Sequence, residues 1–128
     1  MADLALCDAG LKEVPADIAA SRGRSVQTLN LSGNELVPPA NLQLFTAVTT
    51  LILDHNGLES LEGFPPMPSV TTLWFNNNSV SELVDFMDSV VALFPRLVYL
   101  AFMRNPASPP LVCLSEEDTA ASHRYRQA

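Results

Sequence analysis

Asp54 and His55 adjoin in the segment Asp54-His55-Asn56, which sets a carboxylate directly beside an imidazole. Such a pair performs general acid–base chemistry when the carboxylate holds the ring in one orientation. Neighbouring residues of a strand point to opposite faces, so the two are adjacent in sequence without forming a dyad. His123 stands near the end of the chain with no nucleophile or carboxylate pair tied to it by local spacing. Cys7 and Cys113 are far apart and do not form the clustered flanks of a disulfide-stapled domain, so they read as two reduced thiols. No HExxH, CxxC or phosphate-cradling glycine loop occurs, and the five glycines are scattered. The sequence therefore predicts no catalytic residue, no metal site, no cofactor and no enzyme.

The residue types that remain are those of recognition. The formal charge is −7, with only seven Lys and Arg residues to set against phosphates, which argues against direct nucleic-acid binding and against an anionic membrane. The N-terminus MADLALCDAGLKEVP lacks a basic segment followed by an apolar one, and no apolar run approaches the roughly 18 residues that span a bilayer. The expectation is a soluble, cytoplasmic protein, without membrane insertion and monomeric on its own. With 128 residues, 48% of them hydrophobic and 16% charged, the chain has the material for one domain with a continuous core.

The elements that would position a binding site follow from self-similarity along the chain. The pattern LxxLxLxxNxL runs through Val26, Leu29, Leu31, Asn34 and Leu36, then Val48, Leu51, Leu53, Asn56 and Leu58, then Val70, Leu73, Phe75, Asn78 and Val80. Leu29, Leu51 and Leu73 are spaced by 22 residues, and Leu100 follows 27 residues later in a fourth copy with Leu97, Phe102 and Asn105. A degenerate first copy aligns at Leu4, Leu6, Ala9 and Leu11, with Ala9 in place of the asparagine. Two leucines flanking one residue point to the same side of a short strand and bury against their equivalents in the next coil. The asparagines Asn34, Asn56, Asn78 and Asn105 fall where the chain turns inward, so their amides are suited to satisfying backbone groups inside the stack.

The connections predict what lies on the other side. PPANLQLF and EGFPPMPS are short and proline-bearing, fitting an irregular or 3₁₀ stretch. In SELVDFMDSVVALF the residues Leu83, Phe86, Met87, Val90 and Leu93 or Phe94 recur at helical spacing, with Ser79 or Ser81 available as N-cap and Glu82 and Asp85 early in the helix. Its apolar stripe reads as core. NPASPP ends the repeats; Ser115 followed by Glu116, Glu117 and Asp118 predicts a terminal helix over roughly 116 to 126, closing the stack with Tyr125 packed beneath or frayed.

These repeats, with Asn105-Pro106 after the last one and Tyr125-Arg126 beyond, resemble the short intracellular leucine-rich-repeat proteins that carry a terminal cap. The resemblance implies an α/β leucine-rich-repeat solenoid: a short right-handed horseshoe with a parallel concave sheet, convex 3₁₀ or helical segments and a C-terminal cap helix. The single domain over 1–128 divides into repeats 1–25, 26–47, 48–69, 70–96 and 97–114 and a cap 115–128. It implies protein partners, first of all a Rab-type small GTPase or trafficking complex. The other possibilities are a structural subunit of a ciliary or ribonucleoprotein assembly and a regulatory subunit of protein phosphatase 1.

Strand alternation places Thr28, Asn30, Ser32; Thr50, Ile52, Asp54; Thr72, Trp74, Asn76; and Tyr99, Ala101, Met103 on the concave face. The predicted partner-binding set is Trp74, Ile52, Tyr99, Met103, Asn30, Asp54 and Asn76, with Trp74 as anchor because Trp, Tyr and Met are enriched at interface cores. The alternative is that Trp74 packs flat on its sheet neighbours and shields Ile52. Glu35 and Glu59 either add to Asp54 as an acidic rim or are simply solvated.

Overall fold

A leucine between two residues of opposite facing is the smallest unit that can both join a sheet and feed a core, and this chain repeats that unit five times. A computed structural model of the chain describes residues 3–108. Within them β1 (Asp3–Ala5), β2 (Thr28–Asn30), β3 (Thr50–Ile52), β4 (Thr72–Trp74) and β5 (Tyr99–Ala101) pair in parallel, in chain order, as one open sheet. The register aligns Leu4, Leu29, Leu51, Leu73 and Leu100 across all five strands. Leu29, Leu51 and Leu73 are fully buried, whereas Leu4, on the edge strand, has one sheet neighbour and stays half-exposed. The degenerate first copy is thus a true coil.

The asparagines occupy the buried turn after each strand. Asn34 accepts the N–H groups of Ala9 at 3.1 Å and Leu11 at 3.0 Å, and donates to the Leu6 carbonyl at 2.8 Å. Asn56 accepts from Leu36 N–H at 3.2 Å and donates to Leu31 O at 3.0 Å. Asn78 accepts from Asn56 N–H at 2.9 Å and Leu58 N–H at 3.1 Å and donates to Leu53 O at 3.0 Å. Asn105 accepts from Val80 N–H at 3.2 Å and donates to Phe75 O at 2.8 Å. Each amide therefore reaches back to the preceding coil, fulfilling backbone groups that no ladder supplies. The first coil has no earlier coil among the described residues to bind, so Ala9 at that position forfeits nothing.

The residue before each of these positions is left-handed: φ is +54° at Asp8, +73° at Gly33, +56° at His55, +57° at Asn77 and +59° at Arg104. The inward turn imposes this conformation, which glycine, asparagine and aspartate tolerate best.

The convex side differs from coil to coil. Between β1 and β2 lies α1 (Ala16–Arg22), which the repeat spacing does not predict. Pro15 precedes it, Asp17 is in its first turn and Arg22 in its last, a charge order that suits the helix dipole. Gly23 follows and is buried; a Cβ there would run into the carbonyls of Ala19 and Leu44, and its own carbonyl accepts Thr46 N–H at 3.1 Å. A 3₁₀ turn at Leu42–Leu44 separates β2 from β3, and the proline-bearing stretch between β3 and β4 holds no helix.

The 27-residue step is accounted for by α2 (Leu83–Leu93). Phe86, Met87, Val90 and the following Phe94 are buried, with Leu83 and Leu93 packed against the core. Phe86 stacks on Phe102 with centroids 4.6 Å apart and lies 4.9 Å from Phe75. Phe75 and Phe102 stand where the earlier coils have leucine, so larger rings fill the space beneath the helix. One expectation is corrected: the N-cap residue is Glu82, without a side-chain cap bond, and neither Ser79 nor Ser81. At Ser79 the chain is still bound into the stack through its N–H to Leu58 O at 2.8 Å, and Val80 is fully buried, so the helix begins only afterwards. The predicted terminal helix, with Cys113, His123 and Tyr125, lies outside the described residues.

Candidate protein-binding face

Because the leucines claim one side of the sheet, the alternate residues form three rows on the other. Thr28, Thr50, Thr72 and Tyr99 align in one, and Asn30, Ile52, Trp74 and Ala101 in the next. The ladder continues past the strands through Leu53 N–H to Trp74 O and Phe75 N–H to Ala101 O, both 2.8 Å, which carries Ser32, Asp54, Asn76 and Met103 into the third.

The large apolar members gather at the β4–β5 end. Trp74 is 39% exposed, Tyr99 51% and Met103 37%, while Ile52 and Ala101 are half-buried. The rings of Trp74 and Tyr99 are 6.4 Å apart and inclined at 53°, forming an open corner instead of a flat stack. Val98, immediately before Tyr99, is 86% exposed. Sequence reasoning overlooked Val98, although aligning the coils shows it standing where the others have Gln27, Thr49 and Thr71.

The polar members of the predicted set have a part in the backbone. Asp54 Oδ1 accepts the Asn76 N–H at 2.7 Å, and Asn76 Oδ1 accepts the Met103 N–H at 2.6 Å. Asn30 Oδ1 accepts the Ser32 N–H at 3.1 Å and its hydroxyl at 2.7 Å. Short polar side chains at strand ends commonly bond backbone nearby, so residue type was a signal for this role. All three stay half-buried at the face.

Outside this face the titratable residues are dispersed. His55 is exposed in its left-handed turn, its N–H bonded to Asn76 O at 3.1 Å, while the Asp54 carboxylate turns to the next coil. Cys7 is an exposed free thiol. Among the described residues no group of three or more His, Cys, Asp or Glu side chains gathers in a way that would hold a metal ion, and no helix is long and apolar enough to cross a membrane.

Residues 25–45 match the family model for the Leucine Rich Repeat. The matched stretch contains β2, Asn34 and the 3₁₀ turn, and the sheet register repeats its strand unit on both sides. This chain is a leucine-rich-repeat protein.

A human relative, the leucine-rich melanocyte differentiation-associated protein, is 33% identical over 101 residues, covering 77% of this chain and 51% of the relative. The U2 small nuclear ribonucleoprotein A′ of Neurospora crassa is 27% identical over 109 residues, 77% of this chain and 42% of that protein. The chain thus spans about half the length of the curated relatives it matches. No solved structure matches. Leucine-rich repeats support a role in protein–protein interaction in general.

Proposed function

We propose that this leucine-rich-repeat protein is a non-enzymatic cytoplasmic adaptor that docks a folded protein on its concave face. Trp74 is the anchor, Ile52, Tyr99 and Met103 complete the apolar patch, and Asn30, Asp54 and Asn76 form its polar surround. The observation that carries this reading is the change of residue type at the last coils. Positions that hold threonine or a small polar residue elsewhere hold Tyr99 and Met103, beside an exposed Trp74. Aromatic and methionine side chains clustered within a polar rim are the composition of an interface centre. The partner class assigned first is a Rab-type small GTPase or trafficking complex, as the likeness to short intracellular leucine-rich-repeat proteins implies.

A second reading has one observation in its favour, the relative named as a ribonucleoprotein A′ protein. There the chain is a permanent subunit of such a particle, contacting protein and not RNA, in keeping with its charge of −7. An obligate subunit carries an interface like a core cut in half and is poorly soluble when purified alone.

Affinity capture from a lysate of source cells, with wild-type chain and Trp74→Glu both shown folded by circular dichroism, tests the docking face. A GTPase or trafficking complex that is captured by the wild type and lost with the variant supports the reading. Capture that is equal for both places the partner elsewhere on the molecule.

A further inference from the structure

We infer that Asn56-Gly57 is a modification site, at which the repeat asparagine converts spontaneously to aspartate or isoaspartate and unmakes the turn it holds. Asparagine is chemically labile because the backbone nitrogen of the next residue can attack its Cγ. The four repeat asparagines are followed by Glu35, Gly57, Ser79 and Pro106, so these nitrogens decide which of them can react. The stack withholds the nitrogen in three of the four. Glu35 N–H is bonded to Leu11 O at 2.9 Å and Ser79 N–H to Leu58 O at 2.8 Å, while Pro106 carries no N–H. The equivalent bond from Gly57 N–H to Leu36 O is missing, and among the described residues that N–H has no partner.

Gly57 is exposed, with no side chain to shield its nitrogen. The Asn56 amide is held: Nδ2 donates to Leu31 O at 3.0 Å and to Leu53 O and Asp54 O, both at 3.1 Å, and Oδ1 accepts Leu36 N–H at 3.2 Å. Reaction therefore waits on a local opening that frees this one side chain, with no bond of Gly57 N–H to break. The step balances as a hydrolysis. Gly57 N gives its proton to solvent and bonds Asn56 Cγ; the Cγ–Nδ2 bond breaks and the nitrogen leaves as ammonia. Water then opens the cyclic imide, at Cγ to give aspartate or at the backbone carbonyl to give isoaspartate, which inserts Cβ into the main chain. Neither product restores the turn. A carboxylate oxygen replaces the nitrogen that donated to the carbonyls of Leu31, Leu53 and Asp54, so acceptors face acceptors in a buried site.

Peptide mapping by mass spectrometry, with isoaspartyl methyltransferase marking isoaspartate, follows Asn56 and Asn78 side by side at neutral pH, in the folded chain and in concentrated urea. In urea Asn56 leads because glycine shields its nitrogen less than serine does. In the folded chain the ratio of Asn56 to Asn78 conversion is expected to rise by a further tenfold or about that, because Ser79 N–H stays bonded to Leu58 O. A ratio no greater than that in urea, or a folded chain in which position 56 never converts, overturns the inference. Asn56→Asp, prepared directly, is expected to melt about 5 °C or more below the wild type, or not to fold. An unchanged Tm overturns the claim that the product unmakes the turn.

Discussion

Asn78 shows how much one amide holds, because its oxygen takes two N–H groups of the preceding coil while its nitrogen serves the Leu53 carbonyl, all in a buried turn. Asn78→Ala leaves those groups without partners and without water, and urea unfolding is expected to show a loss of about 3 kcal/mol or more. The pattern made this residue legible in the sequence. The left-handed position just before it was not, since His55 and Arg104 hide a site that Gly33 and Asn77 would have announced. The coil geometry, not residue preference, sets φ there. Thermal unfolding should therefore rank the variants at position 55 in a fixed order. His55→Gly should be as stable as the wild type or more so by up to ~1 kcal/mol, and His55→Val should lose about 1–2 kcal/mol. An equal Tm for the three would contradict the turn assignment. His55 is exposed in this turn and lies outside the proposed docking set, so His55→Gly is expected to leave partner capture unchanged.

At the scale of elements, α2 was legible because its apolar residues recur at helical spacing over three turns, whereas α1 has seven residues and a single fully buried one, Ala19. A short helix gives periodicity little to work on, and the close approach behind Gly23 is invisible without the neighbouring 3₁₀ turn. Gly23→Ala pushes a Cβ into backbone carbonyls that cannot swing aside, and a destabilisation of about 2 kcal/mol is expected by chemical denaturation. Phe86→Ala empties the space between Phe75 and Phe102 and is expected to cost about 3–5 kcal/mol, with loss of near-ultraviolet dichroism at the β4–β5 end. The two effects should add, since the sites share no contact and lie in different coils. The sequence placed the start of α2 at Ser79 or Ser81 because serine is a good N-cap in isolation. Coil stacking through Ser79 and Val80 overrides that preference.

For the molecule as a whole, the parallel sheet and its register follow from a strand motif that the sequence repeats in every coil, whereas the convex connections differ in length and form from coil to coil. The open face was legible to the level of which residues share it. What sequence could not give was the division of labour on that face: Asp54 and Asn76 tie coil to coil, while Trp74, Tyr99 and Met103 stay available at one end. The β4–β5 end is the proposed seat of a protein partner, in contrast with the exposed flank of α2, where Val91 is 61% exposed. Photo-crosslinking compares the two directly, with p-benzoylphenylalanine placed at Tyr99 in one variant and at Val91 in another. Irradiation in lysate is expected to give a discrete protein adduct from position 99 and none from position 91. An adduct from position 91, with none from position 99, would overturn the concave docking face and move the interface to the convex side.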